Sequence, residues 1–341
     1  MNTAAALDAP PRRAAFAGWL PAAVLLALAC VPWLITGYQQ DLIVKIQILA
    51  IFALSLELLV GTTGLVSLGH AAFLGIGAYA VVLGSPQDGG GSAFGLLALS
   101  MLCAAAYALF VGALSLRTRG IYFIMVTLAF AQMAYFVFHD TQFGGGSDGI
   151  FLYVKPNTTL AGLTLDLDDR RSFYYVVLAC LAFTYGLLAL LLRSRFGHAL
   201  AGIRVNEQRM RAAGFRTYGY KLAAFVIGGA LAGMAGFLLA VKDGVVNPEL
   251  LSWHESGAVL LMIILGGIGH LRGAVIGAVA FTLLRELYSS QTLLGPLADH
   301  WQLTLGFTII AFVALLPKGL IGLRARLRRA PRPVVTERVD D

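Results

Sequence analysis

Charge is scarce in this chain. Only 13% of its 341 residues are Asp, Glu, Lys or Arg, about half the ~25% usual for a soluble domain. Cysteine is nearly absent. Cys30, Cys103 and Cys180 stand apart inside apolar runs without CxxC spacing, which argues against a disulfide framework or thiolate metal site and leaves them as small hydrophobes. There is no GxxxxGK[ST] loop to cradle a nucleotide: the residues before Lys45, Lys155, Lys221, Lys242 and Lys318 are Val, Val, Tyr, Val and Pro. HExxH and GxSxG are missing too, and the six His and eighteen acids form no cluster with metal-ligand spacing. These absences disfavour an intramembrane enzyme. What is plentiful is apolar sequence, 58% of residues with a mean hydropathy of +0.79. The chain reads as an all-α, polytopic integral membrane protein. Its net charge of +7 comes from basic residues in short loops between apolar segments, where membrane topology places them. The expected partner is therefore the lipid bilayer and not nucleic acid.

Segments near 16–36, 42–60, 64–84, 93–115, 120–138, 173–193, 220–241, 255–269, 273–290 and 301–318 are apolar enough to span, given the ~20 residues a crossing needs. Ten spans are expected within a range of eight to eleven, and 255–290 could instead be one broken or re-entrant element. The run after Arg12 and Arg13, Ala14 to Ile35, is longer than the ~7–15 apolar residues of a cleaved signal peptide. It is expected to be the first span. With ten crossings and a cytoplasmic N-terminus, nineteen of the 25 Lys and Arg fall inside, so both termini are expected in the cytoplasm. The chain then divides into an N-terminal tail (1–15), a permease-like membrane domain (16–320) and a basic C-terminal tail (321–341).

The stretch GTTGLVSLGHAAFLGIGAYA, residues 61–80, concentrates glycine (Gly61, Gly64, Gly69, Gly75, Gly77) with Thr62, Thr63, Ser67 and His70. Ser67, Ala71 and Gly75 recur every four residues, a small-residue face for close helix approach. His70 is ionisable at membrane depth, where such a group faces the bundle interior or a water-filled cavity. It reads either as part of a translocation path or as a buried, hydrogen-bonded histidine. Glu57 also lies within an apolar span, near its inner end, where local hydrogen bonding would hold it. Gly229 and Gly233, and Gly269, Gly273 and Gly277, are spaced for helix packing. Positions 69–80 and 269–280 share six identities, Gly69/Gly269 and His70/His270 among them, which hints at an internal repeat.

Two loops stand out. The outer one, 139–172, contains FGGGSDG and an alternating TLAGLTLDLDD suited to a short hairpin. The inner one, 194–219, is rich in arginine with a single acid, Glu207. Leu200, Ile203, Glu207 and Met210 fall at helical spacing, so 198–213 is expected to form one short amphipathic helix closed by Gly214. Such a loop suits the docking of a cytoplasmic partner, set against an ordinary positive-inside loop.

The segments at 53–80, GGGSDGI (144–150), AGIRVNEQRMRAAGF (201–215), KLAAFVIGGALAGMAG (221–236) and LGGIGHLRGAVIGA (265–278) together resemble the branched-chain amino acid ABC permease family, in its M-type subunit. The resemblance implies a type I importer in the bacterial inner membrane. This chain and an H-type relative would form the pore, two cytoplasmic subunits would bind ATP and Mg, and a periplasmic binding protein would deliver substrate. It implies coupling to the ATPases through Arg204, Asn206, Glu207, Arg211 and Gly214, and a path near Ser67, His70, Gly75 and Glu57. Two departures are visible. Gln208, Arg209 and Met210 stand where Glu-Ala-Ala is expected, and Glu57 stands where the family usually shows Asn. The motifs do not separate branched-chain amino acids from urea or short-chain amides, and a stand-alone ion-coupled carrier is the reading from another class.

Overall fold

The computed structural model describes residues 25–33, 35, 37–86, 91–156, 158–160, 163–165, 167–291, 295, 300–316 and 319–322. The tail 1–15, most of the first expected span and the C-terminal tail beyond Gly322 lie outside them. After a helical stretch at 25–33 come α1 (Tyr38–Thr63), α2 (His70–Gly84), α3 (Ala93–Ser115), α4 (Ile121–Asp140) and α5 (Arg170–Arg193). Then follow α6 (Arg195–Val205), α7 (Glu207–Ala212), α8 (Thr217–Asp243), α9 (Trp253–Gly266), α10 (Leu271–Ser289) and α11 (Trp301–Leu315). Among the described residues six helices are long and apolar enough to cross a membrane: α1, α3, α4, α5, α8 and the one that begins at Trp301. This is a multi-pass, all-α membrane protein.

Three expected spans, 64–84 and the pair 255–269 and 273–290, come out differently. The 64–84 segment is helical only from His70, because Gly64 ends α1 in the left-handed region (φ 74°) and residues 64–69 run on without helix. The resulting α2 has 15 residues, about 22 Å at 1.5 Å per residue, short of a ~30 Å hydrocarbon core. Residues 255–290 form the broken element: α9 and α10 meet at 267–270 with a bend of 115°. Gly267 (φ 113°) and Gly269 (φ 93°) make that turn, in conformations an L side chain rarely adopts. Gly269 is therefore a turn residue and not the first step of a helical packing face.

α1 and α8 form the centre, with 78% and 83% of their most apolar stretches buried, against 22–28% for α3, α4 and α5. Glycine sets the close approaches. A Cβ at Gly233 of α8 would lie 2.6 Å from the Ala104 Cβ of α3, and Ser100 donates to the Gly233 carbonyl at 2.7 Å. Gly229 meets Ala108 in the same way, and Gly273 and Gly277 of α10 lie against the backbone of α9 and the turn that follows it.

The contacts also sort the helix ends onto two sides. The starts of α1 and α5 meet through Asp41 and Arg170 at 3.8 Å. Lys45 lies within electrostatic reach of Lys242, Asp243, Arg285 and Glu286, at the far ends of α8 and α10. On the opposite side Arg204 of α6 meets the end of α1, and Tyr218 of α8 donates to Ala113 at the end of α3 at 2.9 Å. The 139–172 loop carries the expected hairpin, β2 (Thr158–Leu160) paired antiparallel with β3 (Leu163–Leu165). It also carries β1 (Ile150–Phe151), which pairs antiparallel with β4 (Val245–Val246) just past α8.

Gly277→Val should destabilise the fold. Its Cβ would fall on the Met262 carbonyl and 2.9 Å from the Gly266 nitrogen, an overpacking that costs about 1–3 kcal/mol. Thermal unfolding in detergent should show the lowered midpoint. Gly186→Ala in α5, with nothing within 4 Å of the added methyl, should leave the midpoint unchanged or raise it slightly.

Candidate functional site

The 194–219 segment forms two helices, not one. Asn206 adopts an extended conformation (φ −157°, ψ 98°) and its side chain accepts from the Arg209 N–H at 2.9 Å. An Asn that satisfies an orphan backbone donor in this way starts a new helix and interrupts the old one. α6 buries Gly197, Ala199, Leu200 and Ile203, while α7 buries nothing. α7 closes at Gly214 (φ 87°), whose N–H bonds the Arg211 carbonyl at 2.9 Å. Together α6 and α7 make a ledge that leaves Val205 and Phe215 exposed at 84% and 41%.

Glu207 fastens that ledge to α8. Its carboxylate takes Arg211 Nη2 at 2.6 Å on one oxygen and Lys221 Nζ at 2.6 Å on the other. Thr217 Oγ1 donates to it at 3.1 Å and in turn accepts from Arg211 Nε at 3.0 Å. Burial alone would push this carboxyl up. The hydrogen bond and charge of Lys221, with the hydrogen bonds of Arg211 and Thr217, bring it down to about 2. Thr217 and Lys221 were not among the expected site residues. They sit four apart on one face of α8, across a turn from Glu207, so only their i,i+4 spacing could have flagged them.

Arg204 turns inward. Its guanidinium donates to the Gly61 carbonyl at the end of α1, although the residue as a whole stays exposed on α6. Glu57, one turn before Gly61, is buried at 1% exposure and its carboxylate accepts from the Gly269 N–H at 2.6 Å. The missing side chain at Gly61 leaves room for that carboxylate.

The four expected path residues are enclosed by the chain's own helices. His70 is fully buried, its Nε2 2.8 Å from Ser55 Oγ and its ring between Phe52 (stacked, 5.4 Å) and Phe73 (edge-on, 5.4 Å). Of its two readings, the geometry supports the buried hydrogen-bonded histidine. Ser67 is buried and its hydroxyl accepts from the Gly69 N–H at 3.2 Å within the non-helical 64–69 segment. Gly75 receives the side chain of Leu251. Ser256 of α9, unforeseen, accepts from the Ala71 N–H at 2.9 Å and so ties the first turn of α2 to α9.

The family model described as branched-chain amino acid transport system, permease component, matches residues 39–314. The chain is 31% identical over 323 residues to the permease protein LivM of the high-affinity branched-chain amino acid transport system of Escherichia coli, spanning 89% of this chain and 74% of that one. LivH of the same system in E. coli is 29% identical over 130 residues, 38% of this chain and 40% of its own. The xylose transport system permease protein XylH of E. coli is 30% identical over 117 residues, 33% of this chain and 30% of its own. No solved structure matches the chain.

The depressed Glu207 carboxyl makes the ledge pH-dependent in one direction. Its contribution is present above the ordinary carboxyl value of 4.5 and is lost as pH falls from there towards about 2. Hydrogen exchange of residues 207–213, corrected for intrinsic rates, should show level protection from about pH 7 to about pH 5 and a decline below that. Glu207→Gln should show reduced protection already at neutral pH.

Proposed function

Because the chain belongs to the branched-chain amino acid transport system permease family, in its M-type branch, we propose that it is the M-type half of an ATP-driven importer for branched-chain or related amino acids. An H-type permease completes the membrane pair, two cytoplasmic subunits bind and hydrolyse ATP with Mg, and a periplasmic binding protein delivers the substrate. This chain is a transport subunit, and the absence of a nucleotide loop in its sequence assigns hydrolysis to partner chains. It resides in the bacterial inner membrane with the α6–α7 ledge and both termini in the cytoplasm. The concentration of Lys and Arg on the ledge side supports that orientation.

The observation that carries the proposal is the ledge itself. α6 and α7 project from the membrane domain yet are fixed to α8 through Glu207 and to α1 through Arg204. A partner that grips the exposed Val205 and Phe215 can therefore move two central helices at once. In the proposed cycle, ATP binding closes the partner subunits, the ledge follows as a rigid body, and the membrane pair exchanges inward- and outward-facing states. Glu207, Arg211, Asn206 and Gly214 hold the ledge's shape, and Arg204 joins it to the core.

The path follows the two interrupted elements, residues 64–69 and 267–270, where backbone groups not committed to helix can meet a zwitterionic substrate. Ser67, His70 and Gly75 support that segment from behind. The cargo question extends to urea and short-chain amides, because the motifs of this sequence do not separate them from branched-chain amino acids.

Affinity purification from native membranes should bring down a second permease and two ATP-binding chains, with ATP hydrolysis in the eluate. A chain that purifies alone and transports without ATP would establish the stand-alone carrier instead. Gly214→Pro forces φ to about −65° where the structure holds 87°. With Glu207→Lys it should abolish uptake while membrane insertion persists, and normal uptake in both variants would sink the coupling assignment.

A further inference from the structure

A buried carboxylate inside an apolar helix is expensive and marks a function by default. The function of Glu57 does not follow from the family, which usually places Asn there. Its surroundings suggest one. Three separate pieces of chain converge on the last turns of α1. The Gly269 N–H of the α9–α10 turn donates to the Glu57 carboxylate at 2.6 Å, with the backbone of His270 beside it. The Arg204 guanidinium of α6 holds the Gly61 carbonyl, one turn further along α1, and its charge acts on the same carboxylate. Gly61 supplies the space in which the Glu57 carboxylate fits.

The two ends of this connection differ mechanically. On the ledge side, α6 is packed firmly through Leu200 and Ile203. On the other side lies a turn with two glycines at positive φ, Gly267 and Gly269. That turn opens onto the N-terminus of the 19-residue α10, whose dipole favours a negative charge. One side is packed, the other is a turn with two left-handed glycines, and α1, which packs against α10, lies between them with Glu57 as its hydrogen bond to the turn.

We propose that Glu57 is a positioning residue that carries displacement of the α6–α7 ledge into the α9–α10 hinge, with Arg204 as the clasp on the ledge side. The inference rests on the coupling role of the ledge. When the ledge moves, Arg204 draws the end of α1 with it, and the Glu57 carboxylate pulls on the Gly269 amide and rotates the start of α10. Without that link the ATP-binding subunits can still cycle, but the hinge no longer follows.

The test uses the complete transporter in proteoliposomes with substrate-loaded binding protein, reading uptake and ATP hydrolysis on the same preparation. Glu57→Ala should assemble with its partners and hydrolyse ATP, while uptake per ATP falls about tenfold. Glu57→Gln keeps an oxygen to accept from Gly269 and should restore the ratio to within about twofold. Arg204→Ala, on an exposed face of α6 and so tolerable for folding, should also lower the ratio. The double variant should be no worse than the more severe single one. If Glu57→Ala fails to assemble, the Glu57→Gln and Arg204→Ala preparations decide the matter. A fall of uptake and hydrolysis together at constant ratio, an unchanged ratio in Arg204→Ala, or additive losses in the double variant would each overturn the proposal. Wild-type protein that shows no ATP-driven uptake would instead refute the importer itself, a result distinguishable from all of these.

Discussion

In hydrocarbon, a backbone amide that leaves its helix must find another partner inside the protein. Among the described residues this chain leaves the helix at residues 64–69 and 267–270, and much of the structure is arranged to enclose those interruptions. Ser67 turns back on Gly69, Ser256 takes the amide of Ala71, and Glu57 takes that of Gly269. Enclosure requires a wall. α1 and α8 provide it, with 78% and 83% of their most apolar stretches buried, while α3, α4 and α5 bury only 22–28% of theirs within the chain. The glycines of α8 let the wall close. At Gly233 three helices meet, with α2 entering through Gly77 and α3 through Ser100.

The two acids show how differently one residue type is used on either side of the membrane boundary. Glu207 collects Arg211, Lys221 and Thr217 around both its oxygens, an arrangement of charge-assisted bonds that rigidifies a surface element. Glu57 has a backbone amide as its closest partner, in a volume made by an absent side chain. The first fixes a shape. The second joins two elements that could move relative to each other.

Hydropathy located the long spans well, and α3 begins and ends where the apolar run does, at 93 and 115. The hairpin in the outer loop was legible from alternation alone. Beyond that, periodicity describes faces and not partners. It merged α6 and α7, because Leu200, Ile203 and Met210 keep helical spacing across Asn206, whose capping geometry depends on one side-chain bond. It counted Gly269 into a helical face with Gly273 and Gly277, since a positive φ leaves no trace in spacing. It could not place Glu57, whose nearest donor lies 212 residues away. The family resemblance carried fold and class, but not these contacts.

The short β1–β4 pair, Ile150 with Val246 and Phe151 with Val245, fastens the outer loop to the end of α8 furthest from the ledge. A helix tethered at one end and pushed at the other is a lever. With 27 residues α8 is about 40 Å long, so a tilt of about 10° about the strap sweeps its ledge end through about 7 Å while the strapped end barely shifts. Displacement at the ledge end of α8 would thus reach the strapped end chiefly as a change of angle.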